Sequence, residues 1–359
     1  MKNIILFGGA FDPIHNAHLD MAKKASKQLD AEVIFIPAVI SVWKSSSVSF
    51  QDKVNMIKLA IKDEINLSLS EYESTTGKEV NYTIDTVKYF KNLHKDANLY
   101  FLIGGDQVQK FHLWKSADEL SKIAKIVFFN RPDNDDTNGN IKKFDMLPLD
   151  GVFSYANSSS VRSLQDLDIP ESVLNYILDK KLYFIHGLKE YLGDKRLNHS
   201  IEVAKLAYKI AKNNAIDASK AFIAGLLHDI GKEVMVEHKN EIMHNFYNEY
   251  LDLPEFSYHQ FVGEYIAREK FGINDAEILN AIKFHATGCG EMSEISKIIY
   301  ASDKIEPTRG FDSSELIRVC LNDINKGFQT TLHANKDFLT LTNKDIENRL
   351  TKACFDKYL

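Results

Sequence analysis

Cysteine is scarce in this chain. The three cysteines, Cys289, Cys320 and Cys354, lie far apart, and none belongs to a C-x-x-C pair. Their odd number and wide spacing exclude a readable disulfide framework and a thiolate zinc site. Low cysteine usage is typical of a protein kept in a reducing cytosol, so we expect a cytoplasmic location.

Long hydrophobic runs and an excess of basic residues are also missing. No stretch approaches the roughly 18 consecutive apolar residues that cross a bilayer, and the apolar run at residues 4–7 is too short for a signal-peptide core. The 44 Lys and Arg against 50 Asp and Glu give a formal charge of −6. We therefore expect neither membrane insertion nor nucleic-acid binding.

The sequence has 359 residues, of which 44% are apolar and 26% charged. This length and composition are enough for two ordinary folded domains. In the first half, short apolar runs at 4–7, 33–37, 99–103 and 126–129 alternate with helical patterns such as 18–29 and 111–123. This alternation predicts an α/β domain with a parallel sheet, which binds ligands at the carboxyl ends of its strands. Residues 131–143 are polar and predict a surface loop.

The second half has a different hydrophobic pattern. Amphipathic helical patterns follow one another at 200–212, 218–227, 259–271, 276–284 and 294–305, and buried-strand runs disappear. We predict an α/β domain over residues 1–184 and an all-α domain over residues 185–359.

The first candidate site follows the first predicted strand. Gly8 and Gly9 are followed by a helix start that carries His15 and His18. Glycines let backbone amides approach a phosphate, and a helix N-terminus adds unpaired N–H groups and a positive dipole end. The pattern is neither G-x-G-x-x-G nor a P-loop, which disfavours a dinucleotide oxidoreductase and a P-loop NTPase.

This run resembles the H-x-G-H signature of the nucleotidyltransferase superfamily. Later segments resemble bacterial nicotinate mononucleotide adenylyltransferases in order and spacing: Tyr82-Thr83-Ile84-Asp85-Thr86, Ile103-Gly104-Gly105-Asp106 with Trp114, Arg131-Pro132, and Asn157-Ser158-Ser159-Ser160-Val161-Arg162. The departures are Ala17 for the usual glycine, Trp43-Lys44 where His-Lys is common, and Asn157 for a serine. The resemblance covers about residues 1–184 and implies a Rossmann-like nucleotidyltransferase domain.

The resemblance implies in-line attack of the nicotinate mononucleotide phosphate on the α-phosphate of ATP, without a covalent enzyme intermediate. Such a transfer depends on positioning and charge neutralisation, so His15, His18, Lys44 and Arg162 are expected to hold the triphosphate together with Mg²⁺. The binding residues expected around both substrates are Gly8, Gly9, Phe11, Asp12, Thr83, Asp106, Trp114, Arg131, Ser158 and Ser159. Trp114 is expected either to stack on the pyridine ring or to pack in the core. Another phosphate acceptor, such as phosphopantetheine, is the alternative.

The second candidate site is a set of nitrogen and oxygen ligands in the helical half. Its members lie in or at the end of predicted helices: His199, His228, Asp229, His259, His285 and Asp303. Without a thiolate, the set suits Fe, Mn, Co or Zn in an open catalytic site, and Asp229 can bridge two ions. This chemistry predicts hydrolysis of a phosphate ester.

The run Leu226-Leu227-His228-Asp229-Ile230-Gly231-Lys232 resembles the HD-domain metal-dependent phosphohydrolases. Residues 284–288 and 301–307 resemble the bacterial HD-type diadenosine tetraphosphatases, which implies an iron-associated enzyme that releases two ADP molecules. Asp229 and Lys232 would take part in catalysis, the lysine by meeting a substrate phosphate. Other nucleotide substrates and a non-catalytic nucleotide-sensing module are the alternatives, and the oligomeric state is left open.

Overall fold

The computed structural model describes residues 1–39, 48–78, 80–129, 139–151, 157–342 and 347–359. The chain forms two compact units. Unit 1 comprises Met1–Arg162 and Asp166–Tyr183, and unit 2 comprises Ser163–Gln165 and Phe184–Leu359. No helix of the described ranges is long and apolar enough to cross a membrane.

Unit 1 contains a parallel sheet with the strand order β3-β2-β1-β4-β5-β6. The strands are β1 Asn3–Gly9, β2 Ala31–Pro37, β3 Leu67–Leu69, β4 Asn98–Gly104, β5 Lys125–Phe129 and β6 Leu147–Leu149. The chain winds outward from β1 through β2 to β3, then returns to place β4 on the other side of β1. The carboxyl ends of β1 and β4 therefore flank the point where the winding reverses, which is where open α/β sheets bind ligands.

The helices of unit 1 connect these strands. They are α1 Asn16–Leu29, α2 Phe50–Ala60, α3 Tyr72–Thr75, α4 Thr83–Leu93, α5 Gly105–Val108, α6 Ala117–Ile123, α7 Asn140–Lys143, α8 Ser158–Arg162 and α9 Glu171–Lys180, with a 3-10 turn at Phe111–Leu113. The central strands are apolar on both faces, and Ile4, Ile5 and Leu6 of β1 are fully buried. Burial on both faces explains why these strands appear in the sequence as continuous apolar runs.

Unit 2 is helical throughout its described residues. Its helices are α10 Phe184–Leu188, α11 Asp194–Asn213, α12 Ala218–Leu227, α13 Val236–Phe246, α14 Tyr258–Glu269, α15 Ala276–Lys283, α16 Glu294–Ile305, α17 Ser314–Asn322, α18 Ile324–Leu341 and α19 Arg349–Tyr358, with 3-10 turns at Asn248–Tyr250, Glu255–Ser257 and Pro307–Arg309. The predicted fold class, a parallel α/β sheet followed by a helical region, is confirmed.

Two local predictions were wrong. The helix predicted over residues 111–123 is divided, because Trp114 is extended and Ser116 has a φ of 54° in the left-handed region. Of the predicted loop over 131–143, residues 131–138 lie outside the described residues, and the remainder contains helix α7. Asn140 is buried there because its side-chain amide donates to the Val108 carbonyl at 2.8 Å. A polar residue whose hydrogen bonds are made inside the fold can be buried, although its sequence neighbours predict a loop.

Candidate functional sites

In unit 1, the two predicted imidazoles lie together at the start of α1. His15 immediately precedes the helix, and its backbone N–H donates to His18 Nδ1 at 3.4 Å. The two rings stack with their centroids 3.6 Å apart. The backbone N–H groups of Asn16 and His18 already donate to the Asp168 and His15 carbonyls at 2.9 and 3.0 Å, so this end presents two imidazoles beside the positive end of the helix dipole.

The two glycines at the end of β1 are covered by aromatic rings. A Cβ at Gly9 would lie 2.9 Å from Phe11 Cζ, and one at Gly8 would lie 3.2 Å from Phe101 Cζ. Phe11 itself has a φ of 44° and is almost fully buried. The pair therefore allows the chain to fold back over its own strand end, a role in packing that exists beside any role in phosphate binding.

Helix α8 is fastened to the connection between β1 and α1. Arg162 Nη1 donates to the Asp12 carbonyl at 2.5 Å and Arg162 Nη2 to Ser159 Oγ at 2.9 Å. Ser158 Oγ donates to the Pro13 carbonyl at 3.0 Å. Residues about 150 positions apart in the sequence are thereby brought to one edge of the sheet.

The Asp12 side chain has a separate partner. The Tyr183 hydroxyl donates to Asp12 Oδ1 at 2.8 Å. Burial, followed by the charge of Asp12, raises the pKa of Tyr183, so this hydroxyl stays protonated and continues to donate. Asp12 therefore lies in a structural network of the loop, in addition to its predicted place in the site.

The remaining predicted residues of unit 1 lie on other elements. Thr83 begins α4, and the exposed Asp106 lies in α5 directly after β4, the neighbour of β1. Trp114 is half-buried, with its ring 5.2 Å from that of Phe111 and 6.0 Å from that of Phe101. Its core contacts are thus established, while stacking on a substrate stays a prediction. Lys44 and Arg131, together with Trp43 and Pro132, lie outside the described residues.

In unit 2, the structure brings all six predicted ligands together. Three of them lie within α11, α14 and α16, and the other three lie just after α12 and α15. The contacts between ligand atoms are His199 Nε2–Asp303 Oδ1 3.2 Å, His228 Nε2–Asp303 Oδ1 3.5 Å, His228 Nε2–Asp229 Oδ2 3.6 Å, His259 Nε2–Asp229 Oδ1 3.4 Å, His285 Nε2–Asp229 Oδ1 3.5 Å and His259 Nε2–His285 Nε2 3.2 Å. Two groups of three residues could each hold a metal ion, because their ligand atoms all lie within 4.8 Å of one another. One group is His199, His228 and Asp303, and the other is His228, Asp229 and His285. Both groups contain His228.

The outer nitrogens of the four histidines all contact oxygen acceptors. The pairs are His228 Nδ1–Gly225 O 2.7 Å, His259 Nδ1–Phe256 O 2.7 Å, His285 Nδ1–Ile282 O 2.8 Å and His199 Nδ1–Glu306 Oε1 3.0 Å. Carbonyl and carboxylate oxygens accept only, so each Nδ1 carries the hydrogen and each Nε2 directs a lone pair inward. The buried Nε2 of His228 has no hydrogen-bond partner among the described residues. Inward lone pairs beside two carboxylates fit a divalent cation.

Three groups of the cluster have charges that agree with that fit. At His228, burial opposes ionisation, but Asp229 and Asp303 outweigh it and raise the pKa, so a cation bound there would displace a proton. Burial opposes the ionisation of Asp229, but His228 and His285 outweigh it and hold the pKa of this carboxyl well below its usual range. Burial likewise opposes ionisation of Asp303, and Lys304, His199 and His228 hold its pKa well below the usual range. Burial, then the neighbouring His285 and Lys232, keep the pKa of His259 well below its usual value. Ionised carboxylates and neutral imidazole are the forms that bind metal.

Sequence reasoning missed two arginines beside the cluster. Arg196 Nη1 donates to Asp229 Oδ2 at 2.7 Å, and Arg309 Nη2 contacts Asp303 Oδ1. Their side chains are 33% and 37% exposed, so they face both the cluster and solvent. A signal for Arg196 was present, because it lies one helical turn before His199 in α11.

Two lysines also contact the ligand cluster. Lys232 Nζ lies 3.2 Å from His259 Nε2, and burial lowers its pKa. Lys304 Nζ donates to Asp303 Oδ2 at 3.1 Å. Cations around a set of metal ligands are suited to a substrate that carries several phosphates.

The loop between α15 and α16 is held from two sides. Within α14, the fully buried Gln260 accepts from the Thr287 backbone N–H at 3.3 Å. From α19, Thr351 Oγ1 donates to the Thr287 carbonyl at 3.2 Å, and the Tyr358 hydroxyl accepts from the Met292 backbone N–H at 2.9 Å. This loop contains the predicted ligand His285 and precedes α16, which carries Asp303. Helix α19 therefore supports the site without contributing a ligand.

Comparison with protein families assigns a different family to each region. Residues 6–212 match the family described as Cytidylyltransferase-like, and residues 196–308 match the HD domain. The two matches overlap within α11, and the second spans the whole ligand cluster. The HD domain implies a divalent metal site, and the inward-facing nitrogens and carboxylates are consistent with one.

Two relatives align with nearly the full chain. A Mycoplasma genitalium protein named "Probable nicotinate-nucleotide adenylyltransferase/Ap4A hydrolase" is 33% identical over 349 residues, which covers 92% of this chain and 97% of the relative. A Mycoplasma pneumoniae protein with the same name is 29% identical over 346 residues, covering 91% and 97%.

Solved structures resemble the chain in part. A Clostridium acetobutylicum protein described as a "predicted HD superfamily hydrolase involved in NAD metabolism" is 32% identical, with a TM-score of 0.44, and covers 52% of this chain and 96% of its own. Plasmodium falciparum nicotinic acid mononucleotide adenylyltransferase complexed with NaAD is 24% identical, with a TM-score of 0.45, and covers 51% and 98%.

Proposed function

Because this chain belongs to the Cytidylyltransferase-like family and to the family of the two Mycoplasma adenylyltransferase/Ap4A hydrolases, we propose that it is a bifunctional enzyme of adenine nucleotides. Residues 1–184 transfer AMP from ATP to nicotinate mononucleotide and release deamido-NAD and pyrophosphate. Residues 185–359 hydrolyse diadenosine tetraphosphate to two ADP molecules. Its cysteine usage supports action in the cytoplasm.

In the transfer reaction, a phosphate oxygen of nicotinate mononucleotide forms a bond to the α-phosphorus of ATP while the bond to the β-phosphate bridging oxygen breaks. Negative charge builds on the departing pyrophosphate. The N-terminus of α1, His15 and His18 are arranged to hold the triphosphate, and Arg162 brings its guanidinium to the same edge. Mg²⁺ bound with ATP would neutralise further charge on the phosphates.

The hydrolysis reaction requires water to attack phosphorus while a bridging P–O bond breaks, leaving ADP on each side. Six side chains would hold one or two divalent ions, and we propose iron among the metals with nitrogen and oxygen preference: His199, His228, Asp229, His259, His285 and Asp303. The bound metal would lower the pKa of water and so supply hydroxide near neutral pH. Arg196, Arg309 and Lys232 are placed to bind the polyphosphate and stabilise the charge on the leaving ADP.

The observation that carries this proposal is the orientation of the four imidazoles in unit 2. Each Nδ1 contacts an oxygen acceptor, so each Nε2 faces inward, where it lies within 3.6 Å of at least one of the two ionised carboxylates. A set of packed core histidines would not require this shared inward orientation. It supports catalysis over a sensing module that binds nucleotide without metal.

Two single variants of the full chain test the proposal, each assayed for both reactions. We expect His18→Ala to lose pyrophosphate release from ATP and nicotinate mononucleotide by about 10²-fold and to keep ADP release from diadenosine tetraphosphate. We expect Asp229→Ala to do the reverse. Loss of both reactions in either variant would contradict independent sites.

The same assays separate the alternative functions. Pyrophosphate release with phosphopantetheine but not with nicotinate mononucleotide would reassign the first reaction. Metal-loaded protein that hydrolyses only other nucleotides would reassign the second substrate, and protein that binds nucleotide but hydrolyses none would indicate a sensor.

A further inference from the structure

One lysine of unit 1 is buried although it belongs to none of the motifs. Lys53 lies in α2 and is 1% exposed. Its ammonium donates to the carbonyl of Ala38, directly after β2, at 2.6 Å. Burial lowers the pKa of Lys53, because desolvation disfavours the charged form. A buried charge of this kind seldom adds stability and is retained for another reason.

Two carboxylates attract this ammonium. Asp12 comes from the connection between β1 and α1, and Glu73 comes from α3. Both interactions raise the pKa of Lys53 against the effect of burial. The lysine is thus the cation between two acidic groups that belong to different parts of the chain.

Glu73 extends the network to a third element. It accepts a hydrogen bond from Thr86 Oγ1 at 3.1 Å and another from the backbone N–H of Val39. Thr86 lies in α4, one turn after Thr83, for which a substrate contact is proposed. Lys53 and Glu73 together fix residues 38 and 39 and connect them to the first turn of α4.

The elements joined by this network are those that carry the proposed substrate contacts of unit 1. Asp12 belongs to the connection that leads to His15, and its carbonyl receives Arg162. The end of β2 is the neighbour of the end of β1, since Gly9 pairs with Pro37. A shift of the ammonium would therefore break its bond to the strand end and weaken its attraction to the connection and to Glu73, which is bonded to α4.

We propose that Lys53 is a positioning residue for nucleotidyl transfer, which fixes the end of β2, the connection between β1 and α1, and the start of α4 in the arrangement that binds both substrates. This inference rests on the proposed function of unit 1. Lys53 acts through Ala38, Asp12 and Glu73 and need not touch a substrate. Misplacement of substrate-binding groups by about 1 Å can lower a rate by roughly 10²-fold.

The test compares Lys53→Met with Lys58→Met in the full chain. Lys58 lies on the same helix but is exposed, and it pairs with Glu71 at 2.8 Å on the surface. We expect Lys53→Met to lower kcat for pyrophosphate release by about 10-fold or more, with a smaller change in KM for ATP. We also expect a lower unfolding temperature, because Glu73 and Asp12 lose the cation that faces them. Lys58→Met should match the wild type in both constants.

A second variant covers the case in which Lys53→Met does not fold. Glu73→Gln keeps the shape and the acceptor for Val39 and removes the charge that faces Lys53, and we expect a several-fold fall in kcat. Hydrolysis of diadenosine tetraphosphate by unit 2 measures the concentration of intact chain in each sample. Unchanged kcat in folded Lys53→Met, or in Glu73→Gln where the first variant does not fold, would overturn the inference. A wild-type protein that releases no pyrophosphate would instead overturn the proposed function on which it rests.

Discussion

The two sites are assembled in different ways. In unit 1 the imidazoles lie within one short stretch after β1. Distant residues bond to backbone carbonyls of this stretch and of the neighbouring strand end, as Arg162 and Lys53 do. In unit 2 the ligands are side chains of separate helices, and His199 and Asp303 are 104 residues apart. The first site depends on where the backbone runs, and the second depends on which way each side chain points.

The largest effect should come from removing a ligand in unit 2. We expect Asp303→Ala to lose bound divalent metal and to slow ADP release by roughly 10³-fold, because His199 and His228 both contact this carboxylate. Metal content measured by elemental analysis and the rate of ADP release check the result, with the exposed Asp312→Ala as control. Full metal content in Asp303→Ala would contradict the ligand assignment, and slower adenylyl transfer would contradict the separation of the sites.

The next largest effect should come from adding a side chain at Gly231, where two backbone segments of unit 2 are in close contact. A Cβ at Gly231 would lie 2.4 Å from the His259 carbonyl oxygen and 2.6 Å from the Gly263 nitrogen, both backbone atoms. We expect Gly231→Ala to reduce the free energy of unfolding of unit 2 by about 3 kcal/mol. Urea denaturation measures it, with Gly187→Ala as control because a Cβ there meets only a side chain at 3.7 Å. Equal stability of the two variants would show that α14 can move away freely.

A smaller effect should follow from changing the group behind a ligand. Glu306 is 1% exposed and contacts His199 Nδ1. We expect Glu306→Gln to weaken metal binding about 10-fold, because the carboxylate orients the imidazole and increases its basicity. Titration calorimetry with Mn²⁺ checks this, with the surface variant Glu315→Gln as control. An unchanged affinity would mean that His199 is positioned without this contact.

The smallest effect is a pH dependence in unit 1. Burial raises the pKa of Glu73 from 4.5 to about 6. The hydrogen bonds from Thr86 and Val39 and the charge of Lys53 oppose this rise, and Asp12 also faces the Lys53 ammonium. The folded state thus favours protonated Glu73, and this contribution is complete below pH 4.5 and is lost as the pH rises through 6.

The stability of Glu73→Gln relative to the wild type should therefore increase by about 1 kcal/mol between pH 4.5 and pH 7.5, a value reduced for partial exposure. Denaturation of unit 1 at both pH values measures the difference, and Glu71→Gln on the surface is the control. A difference that does not change with pH would contradict the raised pKa.

Strands that are buried on both faces and site residues that lie within one short motif were the features best predicted from the sequence. The runs that became β1, β2, β4 and β5 were recognisable, whereas β3 and β6, with three residues each, are too short to give a pattern. The helix over 111–123 was wrong because the left-handed Ser116 leaves no local signal.

The site residues follow the same division. The six ligands of unit 2 were identifiable from residue type and family resemblance, and Arg196 had a signal in its spacing from His199. Arg309 and Glu306 act through contacts that only the packing of the chain creates. Lys53 was not predictable either, since a lysine in an amphipathic helix is normally exposed. Its burial depends on Asp12 and Glu73, which come from distant parts of the chain.

The support that α19 gives to the loop between α15 and α16 has a consequence for biosynthesis. Its two contacts join residues 64 and 66 positions apart, Thr287 with Thr351 and Met292 with Tyr358. Translation proceeds from the N-terminus, and domains generally fold in that order as they emerge from the ribosome. All six ligands are synthesised before α19 exists, so the loop beside His285 gains these two hydrogen bonds only after the later helix has been made, whereas unit 1 is complete in the chain much earlier.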